Sequence, residues 1–409
     1  MTRPLFHGSW RRWSSRCLQL CFSVWVGLLA GCSVGGDPAF SSVGDTPAVD
    51  AFPDINDVVF ALVSDGSGGV YAGGRFTQVG PVPRQALAHI LADGTVDPSW
   101  EPTADGPVTA LLLHNQTLYV GGNFLGVNGV ERWRLAAVDR VTAELASWNP
   151  RLGAANVVNA LALSGTTVYV GGVFELVNAM VIPGTGLRGE GRRNLAAVDA
   201  VTGVATPWNP NIFEGEVKAL TLVGSVVYAG GSFEQVGLVG QETIRLNLAA
   251  FDVSSGAAAP WNPSVRGVNG DVVYTLQMSD DVVYVGGRFD EVGGQARHNL
   301  AAVDRATGLA SGFDMPTNDT VFTLFDDSLR LYVGGLFTTI GGEPRNRLAA
   351  IDKATGELTA WNPNADGLVR SIVVSDGKVF VGGEFTRIGG RSRAMFAVID
   401  PETGQLVGE

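Results

Sequence analysis

The sequence predicts an all-β fold, a seven-bladed β-propeller of four-stranded blades whose ring is closed by the N-terminal strand. Three observations predict it. A Gly-Gly pair recurs seven times, beginning at Gly73, Gly121, Gly171, Gly230, Gly286, Gly334 and Gly382. Its spacing of 48 to 59 residues suits four short strands per unit. Around each pair the apolar residues alternate with period two and show no 3.6 periodicity. Finally, the two ends complement each other. The seventh unit stops at Glu409 before any Trp-Asn-Pro, and Ala51-Phe52-Pro53-Asp54 aligns with that missing segment. An N-terminal strand that completes the last blade removes an open sheet edge.

Three segments follow in chain order: 1–31 a lipoprotein signal peptide, 32–47 a flexible tether, and 48–409 the propeller. Arg3, Arg11, Arg12 and Arg16 form a basic start, and Cys17 to Ala30 an apolar run of 14 residues. A bilayer span needs about 20, so the run reads as a targeting segment. It ends in Leu29-Ala30-Gly31-Cys32, which resembles the bacterial lipobox. The resemblance implies cleavage before Cys32 and a diacylglyceryl group on its sulfur. Ser33, in place of Asp, implies the outer membrane in a two-membrane cell. The other cysteines, Cys17 and Cys21, lie in the leader, so cleavage leaves no free thiol, disulfide or cysteine metal site. Residues 33–47, rich in Ser, Gly, Asp and Pro, suit a tether.

Within each unit the first strand is of the type Val-x-Ala-Leu, as at Val108 to Leu113. The second carries the Gly-Gly pair after an aromatic (Tyr71, Tyr119, Tyr169, Tyr228, Tyr284, Tyr332, Phe380). The third reads Leu-Ala-Ala-Val-Asp, as at Leu195 to Asp199. The fourth runs toward Trp-Asn-Pro, at Trp100, Trp148, Trp208, Trp261 and Trp361 in variant forms, with Phe313 in the sixth unit. The segment Ala92-Asp93-Gly94-Thr95-Val96-Asp97-Pro98-Ser99-Trp100 resembles the delta-60 repeat, a propeller repeat of unknown function. That resemblance covers about residues 50–409 and implies the fold without an activity. The third strand and its turn also resemble the quinoprotein-type repeat. However, Gly203 to Trp208 is one residue too long for that pattern, and seven units differ from the usual eight.

Residues present in every unit are expected to maintain it. The Gly-Gly pairs are expected to let an aromatic ring lie on bare backbone. The turns at Asp139, Asp199, Asp252, Asp304, Asp352 and Asp400 read as hairpin turns rather than calcium ligands. An arginine precedes each third strand: Arg84, Arg132, Arg192, Arg245, Arg297, Arg345 and Arg393. Each is expected to pair with an acid or stack on an aromatic, though seven together could grip an anion. The Asx-rich loops before the first strands match no calcium loop. No metal site and no cofactor are expected.

Charge limits the partners. The formal net charge is −12, and the first 31 residues hold four arginines and no acid, so the remainder stands four units lower, at −16. Nucleic acid is excluded as a partner because phosphate binding needs a basic face. The same argument excludes peripheral docking on anionic lipid. Membrane contact is then expected only through the N-terminal lipid, and the propeller is expected to be monomeric.

Function is expected where the repeat breaks. The large departures fall on the face shared by the loops between strands two and three and by the inter-unit connections. They are the insertion Asn178 to Gly191, the loop Leu238 to Ile244 and the connection Ser264 to Asp271. Long loops on a rigid scaffold carry binding. The candidate contact residues are Arg132, Trp133, Met180, Ile182, Arg188 and Arg266. No nucleophile elbow, zinc helix or phosphate loop is present. The reading is a non-catalytic scaffold, anchored in the cell envelope, that recognises an envelope protein or glycan. The alternatives are an outer-membrane assembly factor, by fold analogy, and a carbohydrate-active enzyme with paired carboxylates.

Overall fold

The computed structural model describes residues 52–153, 157–183, 186–268 and 270–408. Cys32, the leader and the tether lie outside these residues. No helix occurs among the described residues, and none is therefore long and apolar enough to cross a membrane.

Each Gly-Gly repeat builds one three-stranded antiparallel sheet, in sequence order. In unit one the strands are Val59–Ser64, Val70–Gly74 and Leu87–Ile90. In unit seven they are Val369–Ser375, Lys378–Gly383 and Phe396–Ile399. Each first strand lies beside the first strand of the next unit, and Val369–Ser375 lies beside Val59–Ser64.

The expected fourth strand is not a ladder. It shrinks to one bridged residue per unit, such as Leu145 on Val138 and Ala205 on Val198. The chain leaves the sheet because the tryptophan that follows is used elsewhere. The Trp148 ring meets Tyr119 edge-on, with centroids 5.1 Å apart. Its Nε1 donates to the Asp199 carbonyl of the next unit at 2.9 Å. Pro150 then lacks the N–H a ladder would need. The same donation runs from Trp100 to Asp139, Trp208 to Asp252, Trp261 to Asp304 and Trp361 to Asp400.

The expected aromatic contact occurs at Gly74, beside the Phe76 ring, but the Gly-Gly pairs serve chiefly a different one. A β-carbon on Gly73 would come within 2.6 Å of Val108 Cγ1, the first-strand valine of the next unit. Gly121 faces Val158 in the same way, and Gly382 faces Val59 at 2.5 Å. The second glycine lies on its own first strand: a β-carbon on Gly122 would fall on the Pro107 carbonyl. Hydrogen alone at both positions lets neighbouring sheets approach closely.

The cores lie between units. Tyr119, Leu135 and Trp148 of unit two pack with Val158, Val170 and Val198 of unit three. Phe52 and Val59, at the beginning, pack with Phe380 and Phe396 of unit seven. Phe52 meets Phe380 edge-on at 6.0 Å, where five of the other units place a tryptophan. The Ile55 amide donates to the Ala394 carbonyl at 3.1 Å.

The loop between second and third strands is itself a hairpin, such as Gly126–Val127 with Val130–Glu131. The incoming inter-unit segment bridges to it: Ile55 to Val79, Ala104 to Val127, Ala365 to Ile388. This pairing places the two kinds of connection on one face. The longest, expected as an irregular insertion, is the ordered hairpin Leu176–Ile182 and Gly186–Gly191.

Candidate functional site at the face of the irregular loops

The repeated polar residues are occupied by the scaffold. The turn aspartates accept amide hydrogens two and three residues on; Asp199 Oδ1 takes those of Val201 and Thr202 at 3.0 and 2.7 Å. The Ser254 hydroxyl, with the Ser255 amide and hydroxyl, holds the Asp252 carboxyl down at about 2.

The arginine series bonds chiefly to main-chain carbonyls, which corrects the expected acid or aromatic partners. Arg132 Nη1 donates to the Glu131 carbonyl and Nη2 to that of Ala146, both at 2.9 Å. Arg84, Arg192, Arg245, Arg297 and Arg345 repeat this clamp. Acids join at the margin, as Glu101 beside Arg84 at 3.3 Å. A planar fork reaches two carbonyls at once, which lysine could not do.

The candidate contact residues therefore separate. Arg132 and Trp133 are buried, and the Arg151 guanidinium lies 4.6 Å over the Trp133 ring. This withdraws both from the surface. Met180 and Arg188 stay exposed and sit opposite each other on the unit-three hairpin, with Ile182 opposite Gly186. Arg266 is exposed on a separate short strand, opposite Glu291.

Met180, Val181 and Leu187 are 54%, 63% and 41% exposed on that hairpin. At its base is a groove of about 490 Å³ lined by Val173, Leu176, Leu187, Arg193, Phe213 and Glu214 among others. The Arg193 guanidinium lies 5.2 Å from the Phe213 ring centre.

A second cavity, of about 240 Å³, takes one residue from every first strand: Phe60, Thr109, Asn159, Lys218, Tyr274, Phe322 and Arg370. Each occupies a β-bulge. Register slips between Val59 and Ala61, and at the equivalent place in the other six units. A bulged residue has no ladder partner, so its side chain is re-aimed; here all seven converge. The x of Val-x-Ala-Leu marked this position in the sequence.

The lining is uneven. Tyr274 and Phe322 lie 4.5 Å apart, and the Arg370 guanidinium is 5.4 Å from both Phe60 and Phe322. Arg370 Nε donates to Glu384 at 2.6 Å. Across from these, Lys218 Nζ meets Glu216 Oε2 at 2.8 Å. Asn159 Nδ2 reaches the same carboxylate at 3.3 Å and the Val217 carbonyl at 2.8 Å. None of the seven lining residues is acidic.

Unit one carries a third polar cluster. His89 is buried with Nδ1 2.9 Å from Asp97 and Nε2 3.2 Å from Asp65, and its ring stacks on Tyr71 at 4.2 Å. Burial pushes the Asp65 carboxyl up, but the Ser67 hydroxyl and amide, His89 and the Gly69 amide hold it below the usual range. The pair of carboxylates braces the ring and leaves it no open edge for a ligand. Among the described residues no group of His, Cys, Asp and Glu is placed to hold a metal ion.

Comparison with known proteins agrees with the architecture. The family model "Domain of unknown function (DUF5122) beta-propeller" matches residues 66–99 and 375–396. No curated protein matches. Among solved structures, a chain of the mitotic checkpoint complex is similar at TM-score 0.54 and 14% identity, over 87% of this chain and 96% of that one. The WD40 β-propeller domain of Doa1 is similar at TM-score 0.52 and 14% identity, over 82% and 93%. At such identity the likeness concerns the fold. The chain is an all-β, β-propeller repeat protein.

Proposed function

We propose that the chain is a non-catalytic binding scaffold of the cell envelope. It is a seven-bladed propeller closed between its first and last units, held to the outer membrane through a lipid on Cys32. Its ligand is an envelope protein or glycan, taken on the face of the irregular loops. The observation that carries this reading is the unit-three hairpin, which holds Met180, Val181 and Leu187 in solvent beside the 490 Å³ groove. Apolar side chains kept exposed on an ordered element are docking features. Closure is supported by Val59 on Gly382, the same contact that joins the other neighbours. The leader and its Leu-Ala-Gly-Cys motif support the anchor.

The test is affinity capture from envelope extract with residues 48–409, against the same protein with 178–191 shortened to a two-glycine turn. A partner enriched only by the intact hairpin supports the reading, whereas equal recovery from both overturns the hairpin as the site. For the anchor, Cys32→Ala should move the protein from the membrane to the soluble fraction.

A further inference from the structure

We propose that the cavity lined by the seven bulge residues is a carbohydrate site that takes one neutral pyranose ring. It is a second site, separate from the hairpin, and it rests on the reading of the chain as a binder.

The strand ladders do not use these side chains, although the Thr109 hydroxyl and the Asn159 amide each donate to a carbonyl of the next unit's first strand. Around each of them the repeat keeps valine before and a small residue after, and only the bulged position varies freely: Phe, Thr, Asn, Lys, Tyr, Phe, Arg. Six residue types in seven equivalent places, all turned into one cavity, form an asymmetric surface on a symmetric frame. Bulges re-aim side chains in this way next to functional sites.

Size and chemistry select the ligand. About 240 Å³ is below the roughly 300–1,000 Å³ of drug-sized sites, so the cavity suits a single ring rather than a nucleotide or a peptide strand. Units five, six, seven and one contribute Tyr274, Phe322, Arg370 and Phe60, a wall of aromatic rings around a flat guanidinium. Such a wall accepts the C–H face of a sugar. Units two, three and four contribute Thr109, Asn159 and Lys218, which supply a hydroxyl, an amide and an ammonium for the hydroxyl edge.

The charges argue for neutrality. Lys218 is balanced by Glu216 and Arg370 by Glu384. An anion would have to displace those carboxylates and enter the field of a chain at −12. A cation would meet Lys218 and Arg370. A polyol can instead donate to Glu216, Glu384 and the Asn159 amide oxygen and accept from Lys218, leaving both ion pairs in place.

The test uses the full chain in detergent and saturation-transfer NMR with methyl glucoside, methyl galactoside, methyl mannoside and methyl N-acetylglucosaminide. Methyl glucuronide and free tyrosine are the comparison probes. At least one neutral glycoside should bind, at least tenfold more tightly than the glucuronide or tyrosine. Tyr274→Ala and Asn159→Ala should each weaken it at least tenfold, while Tyr274→Phe keeps it. The protein with its hairpin shortened should bind the sugar as the intact chain does. Three results would overturn the proposal: no neutral glycoside binds, the glucuronide or tyrosine binds as well, or both alanine variants bind unchanged. Envelope capture retained by a protein that binds no sugar would sink this inference and leave the hairpin reading standing.

Discussion

Val59 of the first unit rests on Gly382 of the seventh, where a β-carbon would come within 2.5 Å of its Cγ1. Gly382→Ala should therefore destabilise the fold by about 1–3 kcal/mol, the cost of overpacking. Gly312→Ala, with nothing within 4 Å of the new carbon, should be near neutral. Urea unfolding of the two variants checks this. Equal midpoints would mean that the first and last units are not in contact in solution.

Trp361 Nε1 donates to the Asp400 carbonyl at 3.0 Å. Trp361→Phe removes the donor and leaves a cavity where the second ring of the buried indole sat, so at least about 1 kcal/mol should be lost. Phe313 already holds the equivalent place beside Tyr284, with centroids 5.3 Å apart. Phe313→Trp should recover a similar amount by reaching the Asp352 carbonyl. Calorimetric melting of both variants gives the answer, and a Phe313→Trp variant with an unraised melting temperature would break the equivalence.

Ala86 stands at φ 63° in a place where three other units have Asn194, Asn247 and Asn299 at φ 62° to 64°. Those asparagines accept from the Phe174, Phe233 and Phe289 amides at 2.9–3.1 Å. Left-handed backbone costs alanine more than asparagine. Ala86→Asn should stabilise by about 1 kcal/mol, combining backbone relief with a hydrogen bond to the Phe76 amide. Chemical denaturation would detect it, and a loss of stability would refute the shared role.

Acid should weaken the turns together. Hydrogen bonds from amides and hydroxyls hold Asp199, Asp252, Asp304, Asp352 and Asp400 below the ordinary carboxylate range, Asp252 at about 2. The folded value lies below the unfolded one. This stabilisation is thus complete above about pH 4 and lost as pH falls toward 2. Asp252→Asn should be less stable than the parent at pH 7, with the gap closing near pH 2. A gap independent of pH would show that charge is not what the turn uses.

Much of this architecture was legible because the residues that repeat are the ones the scaffold consumes. Gly-Gly, the aromatic before it, the turn aspartate and the tryptophan each recur at a fixed offset. Their partners were harder to read: the glycines face a valine one unit away, and the arginines face carbonyls, which no side-chain pattern records. The fourth strand dissolved because Trp148 follows the next unit's turn instead of its own sheet. In the candidate site, Met180 and Arg188 were found through an insertion, which any length comparison reveals. Arg132 and Trp133 were misplaced because proximity in sequence to an irregular loop says nothing about which way a side chain turns. The bulge residues were visible only as the blank in Val-x-Ala-Leu. Variation at one place in a fixed pattern was their signal, and the convergence of seven such places needed three dimensions.

Because the bulged residues carry no ladder register, substituting one leaves the main-chain ladder of its strand intact. The scaffold thus separates what must be inherited together from what can change alone. A new preference can be reached through single substitutions at Phe60, Thr109, Asn159, Lys218, Tyr274, Phe322 or Arg370. A repeat gene of this kind can diversify its recognition one codon at a time, and a designer could do the same with a seven-position library.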